Sequence, residues 1–157
     1  MTDKLLTKFF ENRWLILILL LALVVRTINI NFNSAFIDEA IYIIIGKKFL
    51  GGRIHETAES ISWVGGLPFF YPTLSAIFYN LAGIVGTRLF NVILGVDLVY
   101  LSYKFSRELN LMRKETENKN AALIAAFFMT TSAIAISSSR VAIYDMLSVT
   151  IFAGGIY

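Results

Sequence analysis

The chain contains no cysteine, which excludes disulfides, thiolate catalysis and cysteine-ligated metal and leaves the redox compartment undetermined. It contains no Asn-x-Ser/Thr glycosylation sequon and no internal repeat, low-complexity tract or linker. Charge is scarce as well, with Asp, Glu, Lys and Arg making up 16% of 157 residues. The net charge of +3 is not gathered into runs of Lys and Arg interleaved with aromatics, which argues against a nucleic-acid partner. What is abundant is apolar: 57% of residues, with a mean hydropathy of +0.68. That exceeds the composition of a soluble domain and predicts an all-α integral membrane protein, the positive excess reporting topology.

Lys4, Lys8 and Arg13 precede Trp14 to Val25, twelve uninterrupted apolar residues that extend through Arg26 and Thr27 to Ile30. The uninterrupted run is shorter than the roughly 20 residues of a span, so a signal peptide is the other reading. No Ala-x-Ala cleavage pattern follows; Arg26, Asn29, Asn31 and Asn33 do. The expectation is an uncleaved first span over 14–30, with Arg26 snorkelling to the interface. Further spans are expected over 87–105, 121–137 and 146–157, the last stopping well short of membrane length. On this reading residues 1–157 form a single membrane domain, an incomplete N-terminal part of a larger polytopic fold.

Residues 31–86 form the long loop between the first two spans. Within it a helix starting at Asp38 is expected to lie in the interface. Its acidic start complements the helix dipole, Ile41, Ile45 and Phe49 share a face with Tyr42 beside it, and Gly51-Gly52 ends it. A second short apolar segment begins at Pro68, is punctuated by Pro72 and closes at Gly83 and Gly86. Residues 1–13 and 104–119 hold eight Lys or Arg in 29 positions, against three in 56 for residues 31–86. The positive-inside rule therefore predicts a cytoplasmic N-terminus and an external or lumenal loop.

That orientation puts Asp38, Glu39, Arg88, Arg140 and Asp145 on one membrane face. Paired acids with guanidinium groups suit a phosphate-bearing substrate: a carboxylate removes a proton from an attacking hydroxyl while Arg forks neutralise a phosphate leaving group. The plainer alternatives are helix-start acids and headgroup-snorkelling arginines. His55, Glu56 and Glu59 have ligand types for a metal, but their glycine-bounded stretch reads better as a solvated loop, so no metal site is indicated and a divalent cofactor stays open. Asp97 falls near the middle of the second span, where an ionisable side chain is costly and has no evident partner. Phe69, Phe70, Tyr71, Phe78 and Tyr79 are expected to be interfacial anchors, with a lipid-chain groove as the alternative.

In chain order, Asp38-Glu39-Ala40-x-Tyr42, Pro68-Phe-Phe-Tyr71-Pro72-x-Leu74, Gly83, Thr87-Arg88-Leu89, Ala121-x-x-x-Ala125-Ala126 and Ser139-Arg140-x-Ala142-x-x-Asp145-Met146-Leu147 resemble one family. The chain is similar to the N-terminal part of GT-C fold glycosyltransferases of the protein O-mannosyltransferase and aminoarabinose transferase type. The resemblance implies a GT-C-like transmembrane bundle of about four spans, embedded in a cell or endoplasmic-reticulum membrane. It implies transfer of a sugar from a polyprenyl or dolichyl phosphate carrier to a protein, lipid or glycan hydroxyl on the external side, with inversion. By the same resemblance Asp38 is the general base and Glu39 supports it or orients the acceptor. Arg88 contacts the carrier phosphate, Asp145 with Arg140 completes the site, and Tyr42 lines it. A non-catalytic accessory protein, a truncated remnant and a transporter fragment coupled through Asp97 are the alternatives.

Overall fold

A computed structural model describes residues 12–57, 69–109 and 115–157. Six α-helices and one 3-10 turn, Ile54–Thr57, account for nearly all of it, with no strand among the described residues. The helices are α1 (Arg13–Thr27), α2 (Ile37–Leu50), α3 (Phe70–Glu108), α4 (Glu115–Thr131), α5 (Ala133–Arg140) and α6 (Tyr144–Ile156). Helix α3 touches all five others and is the axis of the bundle.

Two expected elements merge in α3. The short segment after Pro68 and the span over 87–105 form one 39-residue helix, interrupted only where Ala82 and Gly83 leave helical geometry. Pro72 lies in the first turn, where its missing N–H and fixed φ cost nothing. Gly83 takes φ 61°, a conformation that strains any residue with a Cβ, so the predicted closing glycine is the kink. Helix α3 is long and apolar enough to cross a membrane. Helices α4 and α5 pass the same test only together, bent by 57° at Ser132. Helix α1, at 15 described residues, would reach about 22 Å at 1.5 Å per residue, less than a hydrocarbon core of about 30 Å. Helix α6 is a shorter apolar helix that starts two residues before the expected span.

Small residues let the helices approach closely. Ala22, Ala122 and Ala126 are fully buried beside Leu15, Val99 and Tyr103, where α1, α3 and α4 meet. A second cluster, Tyr42, Ile45 and Tyr71 with Ile41, Phe90, Ile143 and Leu147 against it, joins α2, α3 and α6. Gly46 makes the α2–α3 contact possible, since a Cβ there would collide with the Pro72 carbonyl and come within 2.7 Å of the Ala76 Cβ. Backbone cannot yield as a side chain does. Gly46→Ala is therefore expected to lower stability by about 1–3 kcal/mol, read as a lower melting temperature in detergent; an unchanged melting temperature would show that α2 moves away freely.

Arg26 departs from its expected role. It is fully buried and points inward, with Nη1 on the Ala22 and Thr130 carbonyls at 3.2 and 3.3 Å and Nη2 on the Met129 carbonyl at 3.1 Å. The bend at Ser132 leaves the last carbonyls of α4 without helical partners, and a buried guanidinium supplies donors that lipid cannot. The anchoring role expected of the aromatics also fails for Tyr71, which is buried and hydrogen-bonded. Phe49 stacks on Phe69 at 4.8 Å, Phe78 on Phe90 at 4.6 Å, and Lys47 lies 4.0 Å over the Tyr79 ring. The Phe49–Phe69 and Lys47–Tyr79 contacts therefore pack α2 against the start of α3, and Phe78 on Phe90 bridges the kink within α3.

Candidate functional site

Glu39 is where four segments meet. It is the third residue of α2, whose N-terminus has unpaired backbone donors, and its Oε2 accepts the Phe36 N–H at 2.9 Å. Its Oε1 accepts the Ala142 N–H, 103 residues away, at 2.8 Å. Arg88 from α3 closes on both oxygens, Nε to Oε1 at 2.9 Å and Nη2 to Oε2 at 2.8 Å. Both side chains are fully buried, and the contact is a two-pronged guanidinium–carboxylate pair. Burial pushes the Glu39 carboxyl up; the Arg88 bonds, the two backbone N–H groups and the Arg88 charge outweigh it and hold the group below its ordinary range.

Arg88 also organises the loop between α1 and α2. Its Nη1 donates to the Ile30 and Asn33 carbonyls at 2.9 and 3.3 Å. Its Nη2 reaches the Asn33 side-chain oxygen and the Ser34 carbonyl, both at 3.2 Å. Every N–H of this guanidinium is engaged by protein, leaving none to hold a phosphate in this conformation. Arg140, half-buried, donates Nη2 to the Ile28 and Asn29 carbonyls at 2.8 and 3.1 Å. Its Nε has no partner among the described residues. Both guanidinium carbons lie over the Phe32 ring, at 5.1 Å for Arg88 and 5.2 Å for Arg140.

The other expected site residues stand around this core. Asp38 and Asp145 are exposed, each in the first turn of its helix, α2 and α6. Tyr42, one turn after Asp38, is buried and meets Tyr71 and Tyr144 edge-on at 5.4 and 6.0 Å. Burial, then the charges of Asp38, Tyr144 and Asp145, push its phenol up to about 12, so it is neutral at physiological pH. The structure thus groups Asp38, Glu39, Tyr42, Arg88, Arg140 and Asp145 at one end of the bundle. Lys104, Arg107 and Glu115 stand at the other, where Arg107 pairs with Glu115 at 3.5 Å.

Asn91 belongs to this group although its residue type alone did not single it out. Its Nδ2 donates to the Val141 and Ile143 carbonyls at 2.7 and 2.9 Å, and its Oδ1 accepts the Tyr71 hydroxyl at 3.0 Å. The available signal was a polar residue three after Arg88, one helical turn on, inside an apolar run.

Asp97 lies exposed on the outer side of α3. His55 and Glu56 sit in the 3-10 turn, where Glu56 faces Lys48 and Arg53 at 3.7 Å, and Glu59 lies outside the described residues. No group of three metal-ligating side chains occurs among the described residues. An apolar groove of about 660 Å³ runs between α1 and α4, lined by Trp14, Leu17, Ile18, Leu21, Leu123 and Phe127 among others, and none of the grouped residues borders it.

The sequence of the bundle matches a family model, dolichyl-phosphate-mannose-protein mannosyltransferase, over residues 45–157. The chain belongs to that family. Its members are membrane-embedded glycosyltransferases of the mannosyltransferase type. The matched region includes Arg88, Asn91, Arg140 and Asp145 and begins six residues after Glu39, so the acidic start of α2 precedes it. No curated protein and no solved structure matches the chain.

Proposed function

We propose that this chain forms the acidic end of a GT-C-type transferase site, which moves mannose from a dolichyl or other polyprenyl phosphate carrier to a protein hydroxyl, with inversion, on the external or lumenal side. The observation that carries this reading is the division of labour between two adjacent acids. Glu39 is buried and bound on every side, while Asp38 beside it is exposed at the same rigid helix start. A fixed helix end presenting a free carboxylate is what proton removal from an incoming hydroxyl requires.

In this reading Asp38 is the general base, and the hydroxyl oxygen attacks the anomeric carbon as the carrier phosphate leaves from the opposite face. Arg140, half-buried at the rim, turns its positive charge toward that phosphate. Arg88 acts from behind, holding Glu39 and adding a second positive charge on the same Phe32 ring. Asp145 completes the rim, and Tyr42, neutral and wedged between Tyr71 and Tyr144, forms its floor. The scarcity of Lys and Arg over residues 31–86 supports placing this end outside.

One experiment tests chemistry and side together. In sealed proteoliposomes of the natural protein carrying Ser34→Cys, loaded with dolichyl phosphate mannose, a serine- and threonine-containing peptide should be mannosylated only on the face where that cysteine reacts with an impermeant thiol reagent. Transfer on the opposite face would invert the topology, and absence of transfer on both faces would remove the catalytic reading.

A further inference from the structure

We propose that Asn91 is a positioning residue that fixes Asp145 relative to Asp38, an inference that rests on the transferase reading above. The body of α6 is seated by buried Met146 and Thr150, but among the described residues no hydrogen bond holds the Asp145 side chain itself. Asp145 follows the three-residue link Val141 to Ile143, and α6 starts without a side-chain cap. The link is extended, with φ/ψ of −112°/135° at Val141 and −117°/155° at Ile143, and turns tightly about Ala142, where the Ile143 N–H returns to the Val141 carbonyl at 2.9 Å. Three polar anchors tie it to the bundle: Glu39 takes the Ala142 N–H, and Asn91 supplies the other two.

The Asn91 amide has a single workable orientation. Both N–H groups face carbonyl oxygens and the amide oxygen faces the Tyr71 hydroxyl; reversing it would set oxygen against oxygen twice. Asn91 is fully buried, so water cannot replace these bonds. Tyr71 in turn packs edge-on against Tyr42, one turn from Asp38 on α2. An unbroken line of contacts therefore runs from the helix carrying Asp38 through Tyr42, Tyr71 and Asn91 to the link that starts the helix of Asp145. Leucine at 91 fills a similar volume and donates nothing. Of the link's polar anchors only Glu39 would then remain, beside the apolar packing of Ile143 and Leu147, and Asp145 would sample several positions.

The test uses the natural protein in nanodiscs, with spin labels on cysteines introduced at Ile37 and Ser148, both exposed, one on each helix. The chain has no cysteine of its own to interfere. The parent should give one narrow label separation and Asn91→Leu a broad one. In transfer assays, Asn91→Leu should lower kcat by about a hundredfold, the scale for an active site distorted by about 1 Å, with KM for the lipid donor unchanged. Should Asn91→Leu not accumulate, Tyr71→Phe releases the amide oxygen alone and should broaden the separation to a lesser degree. A narrow, parental separation in the variant that accumulates, or a raised donor KM at unchanged kcat, overturns the proposal. If the parent transfers no mannose, the transferase reading fails, and the label separation still decides whether Asn91 holds the two helix starts in register.

Discussion

Asp38→Asn is expected to lower mannosyl transfer by about a hundred- to ten-thousandfold, the range for a lost general base, while the protein folds and binds the lipid donor normally. The separation of effects follows from where the side chain stands. Asp38 is exposed and, among the described residues, no structural hydrogen bond depends on it, whereas Glu39 carries the bonds to Phe36, Arg88 and Ala142. Asparagine keeps the size and the tendency to start a helix. What is lost structurally is one favourable charge at a helix N-terminus, about 0.3–1 kcal/mol, and chemically the ability to take a proton. Melting temperature and donor affinity should stay near the parent's as kcat collapses. Transfer within about threefold of the parent would leave Asp38 as a helix-start charge and move the search for the base to Asp145.

How much of this was legible in the sequence depends on whether the deciding partner is near in the chain. The start of α2 was legible because Asp38 and Glu39 precede an apolar stretch closed by Gly51-Gly52, whereas Gly83 was legible only as a break, expected to end a short segment where it instead kinks one continuous helix. The fate of Glu39 was not. Successive helical residues point about 100° apart, so one acid faces the bundle and its neighbour faces out, and which is which is set by Arg88, 49 residues on. The bend between α4 and α5 carries no proline or glycine; its only local sign is Ser132, whose hydroxyl caps α5 through the Ala135 N–H. With the bend unseen, the inward turn of Arg26 toward the Met129 and Thr130 carbonyls could not be anticipated. The same holds for Asn91, whose polarity was visible but whose partners, Val141 and Ile143, come from a link that periodicity cannot describe.

Removing either partner of the buried Glu39–Arg88 pair should cost about 3–5 kcal/mol, because each single change strands the other's charge away from water. Arg88→Met leaves Glu39 ionised and buried and releases the carbonyls of Ile30, Asn33 and Ser34, so the loop that carries Phe32 loses its anchor with the pair. Glu39→Gln keeps one carbonyl oxygen for an N–H but meets the guanidinium with an amide, and the Ala142 anchor of the α5–α6 link weakens with it. Since the two residues share one network, the double variant should lose less stability than the two single losses added together. The pH dependence carries the same signature with a definite sign. The Glu39 carboxyl is held below its ordinary range in the folded protein, so its contribution is present above the unfolded value of about 4.3 and is lost as pH falls through the lower folded value. The parent should therefore lose melting temperature progressively in that acid range, and Glu39→Gln should start lower and lose less. Parallel acid profiles for parent and Glu39→Gln, together with additive losses in the double variant, would mean that the pair contributes no coupling and that α2 is held by its apolar contacts with α3 alone.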